Sequence, residues 1–404
     1  MRKFKNSIVG VMLLVGILGM AQEKEENIFK TTWDNGFKIG NKDNSINLKF
    51  GGRIMYDFGF YNLTSEAEEN GYLLFTKNGN EFRRARLFTS GTIYKNVDFK
   101  LQLEFAGGNT VLKDAYITIR NIPVVGNFRV GHFVEPIVLE SFTSSKYITF
   151  MERSMLTSIV SGRNSGFMVF DEFANNNASW QVGLYRGAQR ETSDSPMANG
   201  NYSLTTRIAA TAIKKEETIL HLGFSHSFRK PQEEKFFKYS IRPEAHLANA
   251  YINTNVENVK NINVINLETS LVAGSFSLQS EYLRLNVKTV FGNETFNAVY
   301  AQASYFLTGE KRAYKNALNG FGRVKPINNF GDGNMGAFEI AIRYSMAEGM
   351  NDDDLNNITA GLNWHLNPSA RVMGNYVFSR IENNTQFTGK GNFSAFQMRF
   401  QIDF

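Results

Sequence analysis

From about residue 45 onward the chain alternates. In SINLKFGGRIMYDFGFYN, Ile46, Leu48, Phe50, Ile54, Tyr56, Phe58 and Phe60 share one face, and Asn47, Lys49, Arg53, Met55 and Asp57 share the other. VDFKLQLEFAGG sets Val97, Phe99, Leu101, Leu103 and Phe105 against Asp98, Lys100, Gln102 and Glu104, and GAFEIAIRYSM does the same with Phe338, Ile340, Ile342 and Tyr344 against Glu339, Ala341, Arg343 and Ser345. Period two with one polar face is a β-strand pattern, and helical periodicity is hard to find after residue 44. Length separates a soluble sandwich from a membrane barrel. Several of these runs reach about ten to fourteen residues, whereas globular strands centre on about five or six and tilted membrane strands need about nine to eleven. The apolar face draws on 35 Phe and 16 Tyr, the residues of lipid-facing girdles.

The connections support a barrel. YKNV, IKKEET, VAGSF and LNPSA are tight, while NLTSEAEENGYLLFTKNGN and RGAQRETSDSPMANGN are long and polar. Short turns alternating with long outer loops are the outer-membrane pattern. Both ends of such a barrel lie in the periplasm, so the strand count is even. A direct count gives seventeen because KYSIRPEAHLANAYI looks strand-like, but parity makes residues 230–261 a single outer excursion, and Pro231 and Pro243 agree. The expected fold is all-β: an outer-membrane antiparallel β-barrel of about sixteen strands around an aqueous lumen, with an inward-folded constriction loop.

MRKFK followed by IVGVMLLVGILGM and GMAQ reads as a secretory leader cleaved near Ala21. Residues 1–21 are then a signal peptide, 22–44 a periplasmic N-terminal segment and 45–404 the transmembrane barrel. Loss of the leader removes Arg2, Lys3 and Lys5, three cations and no acid, so the net charge falls from +6 to +3; this is no nucleic-acid signature. SAFQMRFQIDF puts Phe396, Met398, Phe400, Ile402 and Phe404 on one face. A terminal aromatic strand resembles the signal read by the barrel-assembly machinery, which is an expected partner beside outer-membrane lipid.

EFRRARLFTSGTIY is a strand with three arginines near its start. In a barrel the polar face is a wet wall, where arginine stays hydrated. Arg84 and Arg86 share that face with Ser90 and Thr92; Arg83 is out of phase and falls above the membrane edge. Arg53, Arg207 and Arg399 are among the other inward cations, and Asp57, Glu104 and Asp114 among the inward acids. Arginines along one wall offer an anion a chain of weak bidentate sites; alternatively the inward charges only hydrate the lumen and pair with acids. GHFVEPIVLESFTSSKYITFMERSMLTSIVSGRNSG is too apolar for an outer loop in solvent (Phe142, Tyr147, Ile148, Phe150, Met155, Leu156, Ile159). It is expected to fold into the barrel and carry Lys146, Glu152 and Arg153 to the constriction, where low local dielectric makes charge count most. The stretch at 307–334 falls on the periplasmic side by parity, is long for that side and rich in Lys and Arg, and is placed to reach into the pore exit.

Taken together, GGRIMYDF, EFRRARLFTSG, FKLQLEFAGG, LKDAYITI, VGHFVEP with TSSKYITFMERS, RPEAHLA, YFLTGEKRAY with FGRVKP, and GAFEIAIRYS resemble the phosphate-selective porins O and P over nearly the whole mature chain. The resemblance implies a sixteen-stranded trimeric barrel, an inward loop, an arginine ladder and small anions as permeants. By motif it puts Arg83 and Arg84 on the ladder's paired arginines, Arg53 on a basic position of the first strand, Lys146 and Arg153 on the constriction loop, and Asp114 beside the constriction. The ladder is sparser here than in the family, and many acids face inward, which leaves phosphate specificity open.

Two other classes compete with a porin: a secreted or surface β-rich adhesin or binding protein, and an outer-membrane barrel enzyme. None of His132, His221, His226, His246 and His365 sits in a serine or acid motif, and GDGNMG precedes a strand and does not open a helix. No catalytic residue, cofactor or metal is therefore expected. NDDD at 351–354 reads as a solvated outer turn.

Overall fold

A computed structural model describes residues 29–160, 162–186, 202–231, 236–383 and 389–404. The leader with its site at Ala21 and most of the polar stretch RGAQRETSDSPMANGN lie outside the described residues. Sixteen strands form the barrel: β1 (Ile46–Leu63), β2 (Asn78–Ile93), β3 (Val97–Glu104), β4 (Val111–Ile122), β5 (Gly126–Val134), β6 (Arg163–Phe173), β7 (Ala178–Arg186), β8 (Tyr202–Lys214), β9 (Thr218–Lys230), β10 (Val259–Ala273), β11 (Phe276–Thr289), β12 (Asn293–Phe306), β13 (Ala337–Glu348), β14 (Asp354–Asn367), β15 (Ala370–Asn383) and β16 (Gly389–Asp403). Each pairs antiparallel with its sequence neighbours. Pairing of β16 with β1, from Phe393 opposite Leu63 to Asp403 opposite Arg53, closes the cylinder. Closure removes the sheet edges that a membrane cannot tolerate.

The two faces sort as the alternation requires. Ile54, Phe58, Phe60, Leu87, Leu101 and Ile117 are exposed on the outside, while Arg53, Asp57, Arg84, Arg86, Gln102 and Glu104 are buried within. The β2–β3 turn is tight because Tyr94 and Lys95 both take positive φ, 50° and 69°, matching the twist of the strands it joins. No barrel strand lies between Lys230 and Val259 among the described residues, as one excursion requires. Phe237–Ile241 and Ile252–Val256 pair only with each other, in a sheet separate from the barrel.

Among the described residues, three short helices break the all-strand expectation: α1 (Ser65–Glu69), capped by the Thr64 side chain, α2 (Leu139–Phe142) and α3 (Leu156–Ile159). All three belong to outer loops. The first, third and fifth outer loops pack into one apolar core inside the outer half of the barrel. Ala67 and Tyr72 meet Met155, Leu156 and Ile159, the Phe237–Ile241 hairpin and Tyr251, against Val264, Leu285, Phe296, Val377 and Phe393 of the wall.

At the barrel end that carries the short turns, the lead-in forms a hairpin, Lys30–Trp33 with Phe37–Gly40, whose second strand pairs with Asn47–Phe50 of β1. This is the edge of β1 that lies beyond the end of β16. There the Phe404 N–H and C=O exchange two hydrogen bonds with Gly52. A Cβ on Gly51 would stand 2.4 Å from the Phe404 carbonyl oxygen, so this close approach requires glycine.

Candidate functional site

With the outer half of the β10–β16 side filled, the charged wall of β1 to β6 borders what remains of the lumen. Its key feature is a β-bulge. Met55 pairs with Arg84, but Tyr56 pairs with Phe82, so Arg83 is the extra residue. A bulge re-aims side chains. Arg83 therefore does not rise above the membrane edge, as strict alternation expected. It turns into the barrel beside Arg84 and forms a bidentate pair with Glu152 of the third outer loop, both bonds 2.7 Å. A second bulge at Lys113 lets Asp114 pair with Gln102 in register.

Below the first bulge Arg53 stands directly opposite Arg86, with Glu104 next in the same row. Glu104 binds Arg86 at 2.5 Å, and Asp114 binds both Lys100 at 2.5 Å and Arg163 at 2.8 Å. Two guanidinium groups are left short of acid. Arg53 reaches only hydroxyls, Ser145 at 2.6 Å and Ser144 at 3.3 Å. Arg84 stands 4.0 Å from a Glu152 already held by Arg83 and Arg399. Each keeps a buried Nε with no partner, although its residue is only 5% exposed. Buried donors without partners are costly. Here they flank a lumen through which oxyanions could supply the acceptors.

The third outer loop, residues 135–162, folds inward as its apolar composition requires. Wall side chains hold its carbonyls: Arg371 bonds Ile148, Asn363 bonds Thr149, Arg399 bonds Met151 and Arg343 bonds Glu152. Burial raises the cost of ionising Glu152, but the neighbouring guanidinium of Arg83 holds its carboxyl well below the usual range. Arg153 turns back into its own loop, donating to Glu140 and Thr143 carbonyls at 3.0 and 2.7 Å, and also borders a vestibule of about 240 Å³ with Arg83, Arg84, Arg242 and His246. Lys146 pairs with Asp403 at 3.2 Å. Lys146 and Arg153, expected together at the constriction, stand apart: Lys146 lies at Asp403 and Arg153 borders the vestibule.

Residues 307–336 enter from the periplasmic side. Arg323 bonds Asp403 and lies 5.2 Å from the Tyr147 ring, with Lys315 at 5.8 Å and Lys146 at 5.4 Å. Arg207 lies on the opposite wall and is fully engaged. Glu268 binds it at 2.5 Å, Gln181 and the Ala317 carbonyl complete its set, and it stacks on Phe142. It joins the two infolded segments and is not in the row with Arg53, Arg84 and Arg86.

Burial lowers the Lys146 ammonium to about 8, with Asp403 opposing the shift. Lys146 is thus cationic below that pH and neutral above it. Raising pH from about 7 to 9 is expected to lower anion preference, and Lys146→Gln to flatten that dependence, both read as zero-current potentials.

The family model for phosphate-selective porin O and P matches residues 48–404. The chain belongs to that family. It is an outer-membrane porin, a membrane-embedded channel of the kind its closed barrel describes. Porin O of Pseudomonas aeruginosa is 25% identical over 417 residues, covering 91% of each chain. Among solved structures, the anion-selective porin from Comamonas acidovorans superposes with a TM-score of 0.57 at 14% identity, over 89% of this chain and all of that one. The trimer form of OmpT from Vibrio cholerae gives 0.53 at 11% identity, over 88% of this chain and 99% of its own. Membership accounts for the motif order from GGRIMYDF to GAFEIAIRYS and makes the arginine wall, rather than a catalytic centre, the feature to explain.

Proposed function

We propose that this porin passes small anions in preference to cations and that its permeants are oxyanions of the phosphate class. The observation that carries the reading is the wall of β1 and β2, where Arg53 and Arg84 are buried without a dedicated carboxylate and face Arg86 and Arg83. A planar guanidinium suits an oxyanion bidentately, and a row of sites, each weak, allows entry and release. Arg83, Arg84 and Arg153 gather anions at the vestibule, Arg53 and Arg86 carry them past the loop, and Lys146 lies below beside Asp403 and Arg323. The family name and the printed description of the Comamonas porin support the same preference.

The test is the zero-current potential of the purified channel across a potassium chloride gradient, followed by titration with phosphate. Anion preference and a fall in chloride current on adding phosphate are expected. A cation-selective channel would overturn the reading and leave a general porin. The trimer form of the OmpT barrel and the membership support a homotrimer here. The Phe404-terminated strand supports recognition by the barrel-assembly machinery, and the N-terminal motif supports a leader ending near Ala21, with residues 22–44 in the periplasm.

A further inference from the structure

One buried carboxylate has no place in the arginine wall. Glu281 lies on β11, far from Arg53 and Arg84 in the strand order, and is 1% exposed. It faces Glu268 directly across the β10–β11 pair. Glu268 is occupied by Arg207 and by His221 at 3.0 Å. Glu281 instead receives four neutral donors. Its Oε2 accepts from the Leu139 N–H at 2.7 Å and Asn266 Nδ2 at 3.0 Å. Its Oε1 accepts from the Glu140 N–H at 2.9 Å and the Tyr300 hydroxyl at 2.7 Å. The two backbone donors are the first residues of α2, where the third outer loop begins its course across the lumen. Immediately before them, the Ile137 carbonyl accepts from Ser225 at 2.7 Å and from Asn266 at 2.9 Å.

We propose that Glu281 is the positioning residue of the constriction: it fixes the start of α2 to the far wall and so sets how far the loop leans toward the arginines. Only a carboxylate meets the arrangement. Each oxygen takes two donors, and a glutamine would turn an NH₂ group toward two of them. The loop's later carbonyls are held by the β13–β16 wall, so loss of the Glu281 anchor loosens one end of the span, which keeps only the Ser225 and Asn266 bonds to Ile137 beside its packing, and leaves the other attached. The inference rests on the channel function and not on the anion preference, because its readout is the size and steadiness of the open pore.

Single-channel recording of Glu281→Gln in planar bilayers is the test, with heat-modifiable gel mobility selecting folded barrels. The glutamine variant is expected to show several conductance levels and a mean conductance changed by about twofold or more. Asn266→Ala, which removes no charge, is expected to show the same levels more weakly. A purely structural role would lower the unfolding midpoint in urea and leave the conductance of folded channels unchanged. Wild-type conductance and noise in folded Glu281→Gln channels would overturn the proposal. Should that variant not fold, wild-type traces from Asn266→Ala would overturn it equally.

Discussion

Replacing Arg53 and Arg84 together by glutamate is expected to turn the channel from anion-preferring to cation-preferring, seen as a change of sign in the zero-current potential. Neither cation has a carboxylate of its own, since the nearest acids are already held by other groups. A unit charge at about 4 Å from an ion is worth between about 1 and 4 kcal/mol, the limits set by bulk water and by a protein surface. Reversing two charges therefore shifts relative permeability by about tenfold or more. Salt screens over about 8 Å at physiological strength, so the measurement belongs at low salt. The matched control is Arg207→Gln, which lies outside the row and is expected to change stability with little effect on the sign. A potential that keeps its sign in the double variant would place the filter elsewhere, with Lys146 and Arg323 the next pair to reverse.

Substituting Leu156 and Ile159 by aspartate is expected to raise single-channel conductance several-fold while the barrel stays folded. Both side chains are buried in the apolar core that joins the outer loops to the wall, at 0% and 4% exposure. An ionised carboxylate there has no partner and is expelled into water, drawing α3 and the loop with it. The strand ladders are independent of this packing, so heat-modifiable mobility is expected to persist. Unchanged conductance in folded channels would show that the core does not narrow the pore.

Much of the barrel could be read from period two, because lipid outside and water inside impose opposite polarities on neighbouring residues. The even count followed from parity, which makes residues 230–261 one excursion, and Pro231 and Pro243 agree with it. Two features were hidden for physical reasons. The bulge at Arg83 needs one residue more in β2 than in β1 opposite it, and a single strand cannot reveal what its partner lacks. The internal core left a signal that looks like a slip of phase. In β11, Phe276 and Leu278 face lipid with Ser277 and Gln279 inside, but beyond Glu281 the apolar Leu283, Leu285 and Val287 face inward with Arg284 and Lys288 outside. β10 inverts likewise, from Leu267 outside and Glu268 inside to Ile262 and Val264 inside. Such an inversion marks the height at which lipid gives way to water outside and water gives way to packed loops inside. Loop composition made Lys146 and Arg153 visible, but not that the loop would bind Arg153 to its own carbonyls.

The lead-in hairpin has a practical consequence for anyone handling this barrel. The edge of β1 at Asn47–Phe50 is taken by Phe37–Gly40, and the register of β16 runs straight toward it past Phe404. A purification tag fused after Phe404 would be steered onto that same edge and would compete with the hairpin for its backbone bonds. A tag inserted in an outer turn, such as the one at residues 290–292, meets no such rival, and is the better place for a label.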